Sequence, residues 1–78
     1  MKVFINPGHM PGVDPGAMNP NSGLKECDVA LAVGKLVEYY LKNAGCEVMR
    51  LQSDNLNGES PAYPNVCKNA NEWGADVF

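Results

Sequence analysis

The sequence predicts an α/β fold built on a parallel sheet. Short runs of β-branched and apolar residues alternate with helix-length segments, and Gly, Pro and Asn separate them. This alternation is typical of right-handed βαβ units, whose strands lie parallel. The predicted order is strand, long loop, helix, strand, helix and strand, and the sequence ends inside the third strand.

The first strand is predicted over residues 2–6, which Pro7 and Gly8 end. From residue 7 to residue 23 the chain is dense in Pro and Gly, which predicts a loop. A loop longer than about 12–15 residues is uncommon in a compact domain and is usually functional. This loop contains His9, the one histidine of the chain.

The clearest helix is predicted after this loop. Its apolar residues recur at helical spacing and are predicted to form one stripe, which contains Val29, Val33, Leu36, Val37, Tyr40, Leu41 and Ala44. Glu38 and Lys42 lie on the opposite face as an i,i+4 pair. We expect Asn21 or Ser22 to cap the start of the helix, and Gly45 to end it.

The second half of the chain also alternates strands with a helix. A second strand is predicted over residues 46–51, and a second helix is predicted between residues 60 and 73. Pro61 and Pro64 suit only the first turn of that helix. Its apolar stripe contains Val66, Ala70 and Trp73. A third strand begins at residues 76–78.

Composition narrows the classes of function. The net charge is −3 and the six basic residues are scattered, so the chain lacks the basic stripe of a nucleic-acid-binding protein. No apolar run approaches the roughly 20 residues of a membrane span. No signal peptide is recognisable, which leaves a cytosolic protein and a mature exported piece as alternatives. The spacing of Cys27, Cys46 and Cys67 favours free thiols over a disulfide or a zinc knuckle.

His9 and Glu26 are the candidate functional residues, because both are predicted at one rim of the sheet. Ligands of open α/β sheets bind beyond the carboxyl ends of the strands, and His9 directly follows the first strand. One histidine and one carboxylate are two of the ligands of a catalytic zinc site, and Asp14 could accept from the other ring nitrogen. Such a site has three protein ligands, so a hydrogen-bonded loop histidine and a dipole-stabilised glutamate stay open as the simpler interpretation.

Three stretches of sequence carry a more specific pattern: KVFINPGHMPGVDPGA, GLKECDVALAVGKLVEYYLKNAGCEV and NANEWGADVF. The first stretch resembles the opening strand and H-G-G-x-D-P-G-A loop of one family. The second resembles that family's E-x-D stretch with its helix and next strand, and the third resembles its A-N-x-x-G-A-D-x-F segment. That family is the zinc-dependent N-acetylmuramoyl-L-alanine amidases, bacterial and phage enzymes that cut peptidoglycan. Met10 and Pro11 replace the glycines after the histidine, which is expected to stiffen the loop and narrow the site.

The resemblance implies Zn²⁺ as cofactor, with His9 as the first ligand and Glu26 as the second. Asp14 and Asn19 are the implied supporting or substrate-loop residues. In the family, the A-N-x-x-G-A-D-x-F segment leads into an S-I-H-x-N motif, whose histidine is the third ligand. That histidine and the family's catalytic glutamate are expected beyond residue 78, so no catalytic residue is expected in this chain. Residues 1–78 are therefore expected to be the N-terminal part of a single amidase catalytic domain and to be inactive alone.

The implied reaction is zinc-dependent hydrolysis of the amide bond between N-acetylmuramic acid and L-alanine, with peptidoglycan as substrate. The implied location is secreted or cell-wall-associated for an autolysin, whereas a phage endolysin is made in the cytoplasm. The open edge of the sheet predicts self-association.

Two other interpretations stay open from the residues. One is a non-catalytic α/β module that binds a small anion at the Gly/Pro-rich loop through backbone N–H groups. The loop glycines lack G-x-G-x-x-G spacing and no P-loop lysine follows them, which weakens this interpretation. The other is a purely structural piece in which His9 caps the loop.

Overall fold

Two parallel strands and two helices make up the computed structural model, which describes residues 1–78. The elements occur in the order β1 (Lys2–Ile5), α1 (Glu26–Asn43), β2 (Glu47–Arg50) and α2 (Val66–Trp73). Val3 lies opposite Val48 and Ile5 lies opposite Arg50 in the parallel register of β1 and β2. The predicted α/β class and the parallel pairing of the first two strands are confirmed, and each strand is slightly shorter than predicted.

The segment 76–78 lies on the other side of β1. The backbone N–H of Phe4 donates to the carbonyl of Val77 at 2.8 Å, and Val3 and Val77 form one parallel bridge. The carboxylate of Asp76 accepts the backbone N–H of Lys2 at 2.7 Å. Where the sequence predicts a third strand, the structure therefore has a single bridge, and β1 lies between β2 and this segment.

The helices contact opposite faces of the sheet. Side chains alternate along a strand, so Phe4 and Met49 face α2, whereas Ile5 and Arg50 face α1. Phe4, Val66 and Ala70 form the buried cluster on the α2 side, and Met49, Leu51, Trp73 and Ala75 pack against it. The predicted apolar stripe of α2 is thus confirmed as its core face.

The face that α1 turns to the sheet differs from the predicted stripe. Its buried residues are Cys27 and Gly34, and Leu31, Glu38 and Leu41 are half-buried along the same face. The predicted stripe is exposed except for Leu41: Val33 and Leu36 are each 56% exposed and Tyr40 is 64% exposed. The apolar residues share one face of α1 as the spacing predicts, but that face is exposed, and the opposite face, which carries Glu38, meets the sheet.

A close contact and an ion pair lie on the inner face of α1. A Cβ added at Gly34 would lie 2.8 Å from Cγ of Pro7, so only glycine lets the helix approach the end of β1 this closely. One turn further along, Glu38 accepts a 2.7 Å hydrogen bond from Nε of Arg50, on β2. These two contacts fix which side of α1 meets the sheet.

The expected side-chain cap of α1 is absent. The helix begins at Glu26 with Lys25 as N-cap residue, and no side chain caps it. The loop backbone takes that role, because the carbonyls of Ala17 and Pro15 accept the N–H groups of Glu26 and Cys27 at 2.9 and 3.0 Å. The prediction of Asn21 or Ser22 as the cap was therefore wrong, whereas Gly45 follows the C-cap as expected.

α2 begins later than its prolines suggest. Asn65 is its N-cap residue, and the Asn65 side chain accepts the N–H of Lys68 at 2.9 Å. Pro61 and Pro64 precede the helix instead of occupying its first turn. They belong to a loop held from inside by two buried polar residues, since Ser53 donates to the Pro64 carbonyl at 2.6 Å and Asn55 accepts the N–H of Gly58 at 2.7 Å.

All three cysteines are free thiols, of which Cys27 is buried and Cys46 and Cys67 are half-buried. Neither helix combines the length and the apolar character that crossing a membrane requires.

Candidate functional site

His9 lies just beyond β1 with an unusual backbone. Its φ angle is 65°, and it is the one residue other than glycine with a positive value. Residues other than glycine are uncommon in this left-handed region, where the backbone conformation costs on the order of 1–3 kcal/mol. They persist where surrounding contacts hold them, and they cluster at functional sites. The side chain is one-third exposed.

Two carboxylates flank the His9 ring. Nδ1 lies 3.2 Å from Oδ2 of Asp14, and Nε2 lies 2.6 Å from Oε2 of Glu26. The hydrogen bond to Asp14, together with the negative charge of both carboxylates, raises the pKa of His9 above its ordinary value. Ionised carboxylates only accept hydrogen bonds, so this arrangement favours an imidazolium that donates from both nitrogens.

A tight turn places Asp14 behind His9. Met10 and Asp14 form an antiparallel bridge, and the N–H groups of Val13 and Asp14 donate to the Met10 carbonyl at 3.1 and 2.8 Å. Pro11 and Gly12 occupy the two central positions of this turn, as Pro-Gly often does. The other oxygen of Asp14 accepts the N–H of Gly16 at 3.3 Å, which orients the carboxylate toward the ring.

Gly16 packs directly against the paired side chains. A Cβ at this position would lie 2.7 Å from Cβ of Glu26 and 2.9 Å from Nε2 of His9, and the φ angle of Gly16 is +71°. Real Cβ atoms essentially never approach other atoms this closely. The absence of a side chain at Gly16 therefore allows the His9–Glu26 contact.

The contact opens into a cleft of about 670 Å³ beside the start of α1. His9 and Glu26 line it together with Gly8, Ala17, Met18, Asn19, Leu24, Lys25, Val29 and Ala30. Met10 and Pro11 do not line it; Sδ of Met10 instead accepts the N–H of Asp54 at 3.3 Å. The expected narrowing of the site by these two residues is therefore wrong, because Met10 turns toward the loop after β2.

Asn19 holds the outer part of the cleft wall. Its side-chain oxygen accepts the N–H of Asn21 at 2.9 Å, and its backbone N–H donates to the carbonyl of Leu24 at 2.8 Å. Met18 and Lys25 form an antiparallel bridge beside it. Asn19 thus shapes the loop, and Asp14 contacts His9 directly.

A protein-family model matches nearly the whole chain, including the cleft. The model, described as N-acetylmuramoyl-L-alanine amidase, matches residues 3–78. The chain belongs to this amidase family. The matched range contains the His9–Glu26 contact, Asp14 and every residue of the cleft, so the site lies within the amidase domain.

Membership assigns the chain to the peptidoglycan amidases, a class of hydrolases. Among curated proteins and among solved structures, no significant match to the chain is found.

Two side chains of the kinds that bind zinc converge at the cleft of this amidase. Zinc in proteins is bound by imidazole nitrogen and carboxylate oxygen, and a ligating histidine usually donates its other N–H to a carboxylate. Nε2 of His9, Oε2 of Glu26 and the Asp14 contact fit that pattern. No three His, Cys, Asp or Glu side chains are arranged so that they could hold one metal ion together. The residues present therefore fit zinc as two ligands of a set.

Cys27 is not a third donor, although it follows Glu26 in sequence. Its side chain is fully buried on the inner face of α1. Burial, assisted by the neighbouring Asp28, raises the pKa of the Cys27 thiol, which keeps it in the neutral form that binds metals poorly.

Sequence reasoning missed two residues that contact the site. Gly16 was one of several loop glycines, and only its approach to Glu26 distinguishes it. Gln52, in the loop after β2, donates to backbone carbonyls beside both candidate ligands. The D-P-G-A motif contained Gly16, but no local pattern indicates Gln52, because its partners lie far away in the sequence.

Proposed function

We propose that this chain supplies His9 and Glu26 as two zinc ligands of a site that hydrolyses the amide bond between N-acetylmuramic acid and L-alanine in peptidoglycan. The observation that carries the proposal is the 2.6 Å contact between Nε2 of His9 and Oε2 of Glu26 at a shared cleft. Family membership over residues 3–78 supports the reaction class.

The roles of the side chains follow from their contacts. Asp14 holds the proton on Nδ1 of His9, which leaves Nε2 to bind the metal. Glu26 supplies a negative charge at the same point. Bound zinc polarises a substrate carbonyl and lowers the pKa of a coordinated water from about 15.7 to about 7. Because both side chains are assigned to the metal, neither is proposed as the general base.

Protons compete with the metal at this site. The imidazole must be neutral to bind zinc, and Asp14 and Glu26 raise the pKa of His9. Zinc binding therefore displaces a proton from the His9–Glu26 contact, and its affinity is expected to fall as the pH is lowered. With two donors, we expect weak zinc binding and no turnover by the 78-residue chain alone.

Calorimetric titration of zinc into the chain and its variants tests the ligand assignment. His9→Ala and Glu26→Gln are each expected to weaken binding at least about tenfold, since even supporting partners of metal ligands contribute that much. Glu72→Gln is the matched control, because Glu72 is also an exposed glutamate of a helix but lies on α2. Equal affinities in all four proteins would rule out His9 and Glu26 as the ligands.

Activity is tested separately with purified peptidoglycan, by following the release of stem peptides with a free L-alanine amino group. We expect none from this chain. Release that depends on zinc and disappears in His9→Ala would contradict the expected inactivity and support the amidase assignment.

The anion-binding alternative receives no support from the cleft. Glu26 lines it and Asp14 lies just behind His9, so the negative charge of two carboxylates close to the cleft disfavours a bound anion. A phosphate titration that gives equal binding in wild type and His9→Ala would favour that alternative.

The biological setting is part of the proposal. Action on peptidoglycan requires access to the cell wall, either as a secreted or wall-associated autolysin or as a phage endolysin. Self-association through an open edge of the sheet also stays a prediction.

A further inference from the structure

One side-chain amide joins the two segments that carry His9 and Glu26. Nε2 of Gln52 donates to the carbonyl of Gly8 at 3.1 Å and to the carbonyl of Cys27 at 2.9 Å. Gly8 immediately precedes His9, and Cys27 immediately follows Glu26. Gln52 lies in the loop that follows β2, so it connects three separate parts of the fold.

Apart from the His9–Glu26 contact itself, the other hydrogen bonds between the loop and α1 lie further along the loop. Pro15 and Ala17 accept the first N–H groups of the helix and hold the part of the loop beyond Asp14. The hydrogen bond of Gln52 joins the beginning of the loop, at Gly8, to the helix. Gln52 is therefore the side chain that ties the backbone just before His9 to the backbone of α1.

Both protons of one amide nitrogen are used in this arrangement. A side-chain NH₂ has two donors, and each goes to a different carbonyl. The two acceptors must then lie on either side of one nitrogen atom, which restricts their separation. Gln52 is half-buried, and water competes less with its part-buried bond to Cys27 than with its exposed bond to Gly8.

We propose that Gln52 is a positioning residue that sets the separation of His9 and Glu26 through the backbone on either side of them. The part of this inference that concerns zinc rests on the function proposed above. Gln52 contacts neither side chain of the pair, and its effect is on how closely the imidazole and the carboxylate converge.

The test uses two substitutions and a matched control. Gln52→Leu keeps a similar volume and removes both donors, and Gln52→Asn keeps the amide on a side chain one methylene shorter. Asn69→Leu is the control, because Asn69 Nδ2 also donates to a backbone carbonyl, that of the N-cap residue Asn65 at 2.7 Å, but at the start of α2. Urea unfolding of each protein shows that it is folded under the conditions of measurement.

The first readout needs no metal. His9 is the one histidine, so its ring resonances are identified without ambiguity, and the nuclear Overhauser contact between its ring and the Glu26 methylenes reports the pair. We expect this contact in wild type and Asn69→Leu, and its loss or marked weakening in both Gln52 variants. An undiminished contact in either folded Gln52 variant would overturn the proposal.

The second readout is zinc affinity by calorimetry. We expect binding about 10- to 100-fold weaker in the Gln52 variants than in wild type, the usual effect of removing a partner that orients a metal ligand. If wild type binds zinc, an unchanged zinc affinity in a folded Gln52 variant would overturn the positioning role. If wild type binds no zinc while the Gln52 variants lose the His9–Glu26 contact, the positioning role is supported and the proposed function fails.

Discussion

At the scale of single residues, His9 is held by what surrounds its ring. Asp14 accepts from Nδ1 and Glu26 contacts Nε2. The backbone of His9 itself adopts a left-handed conformation that few residues other than glycine adopt. These contacts lead to two predictions, one about protonation and one about packing.

The first prediction concerns the pKa of His9. Asp14→Asn removes the carboxylate whose hydrogen bond is the largest cause of the raised pKa, so the pKa of His9 should fall toward 6.5, its ordinary value. Titration of the His9 ring by NMR measures this, with Asp28→Asn as the control. A pKa of His9 that is the same in wild type and Asp14→Asn would show that Asp14 does not bind the ring.

The same pKa has a consequence for stability without metal. Because folding raises the pKa of His9, the stabilising contribution is fully present below about pH 6.5 and is lost as the pH rises through the raised value. Zinc binding has the opposite pH dependence, since the metal requires the neutral ring.

The second prediction separates backbone strain from steric contact. Gly16→Ala should destabilise the fold by about 1–3 kcal/mol, the cost of a left-handed residue, and should also weaken zinc binding. Gly12→Ala is the matched control, because Gly12 has a similar φ of +77° but nothing within 4 Å of an added Cβ. Urea unfolding and calorimetry measure the two effects, and equal zinc affinity in both variants would contradict the packing role of Gly16.

At the scale of the elements, the orientation of α1 is the feature to test. Leu31→Ala, on the face toward the sheet, should lower the free energy of unfolding by about 2 kcal/mol. Leu36→Ala, on the exposed face of the same helix, should change it by no more than about 0.5 kcal/mol. Thermal or urea unfolding of the pair decides the orientation, and the reverse order of effects would favour the stripe predicted from hydrophobic spacing.

The ion pair between α1 and β2 gives a pH-dependent prediction. Hydrogen bonds from Lys42 and Arg50 lower the pKa of Glu38, so this contribution is present above the ordinary value of 4.5 and is lost as the pH falls through the lowered one. Glu38→Gln should reduce stability by up to about 1 kcal/mol at pH 7 and by less at pH 3.

Urea unfolding at the two pH values measures the contribution of Glu38. Glu72→Gln is the control, because its exposed partner Lys68 lies 3.9 Å away and such pairs contribute little. An equal loss of stability at both pH values in Glu38→Gln would show that the charge of Glu38 does not contribute to the free energy of unfolding.

At the scale of the whole molecule, the chain is a thin slab. Its extents are 40 × 31 × 12 Å, and 8 of its 78 residues are buried, so little apolar surface opposes the entropy of unfolding. The outer edge of β2 has no strand beside it, and much of the exposed face of α1 is apolar.

We expect the chain to self-associate through the edge of β2. Sedimentation velocity should give a mass above 8.4 kDa that increases with concentration. Leu36→Lys places a charge on the exposed face of α1 and should leave this association unchanged. Loss of association in that variant would assign the interface to the helix instead of the sheet edge.

Local patterns of residues were enough to predict the α/β class, the parallel pairing, both helices and the candidate pair His9 and Glu26. Strand and helix periods are properties of neighbouring residues, and the family motifs are contiguous. The face of α1, the capping by Pro15 and Ala17, the approach of Gly16 and the bridge made by Gln52 required the folded chain. They depend on contacts between segments up to 44 residues apart, whose energies no local spacing encodes.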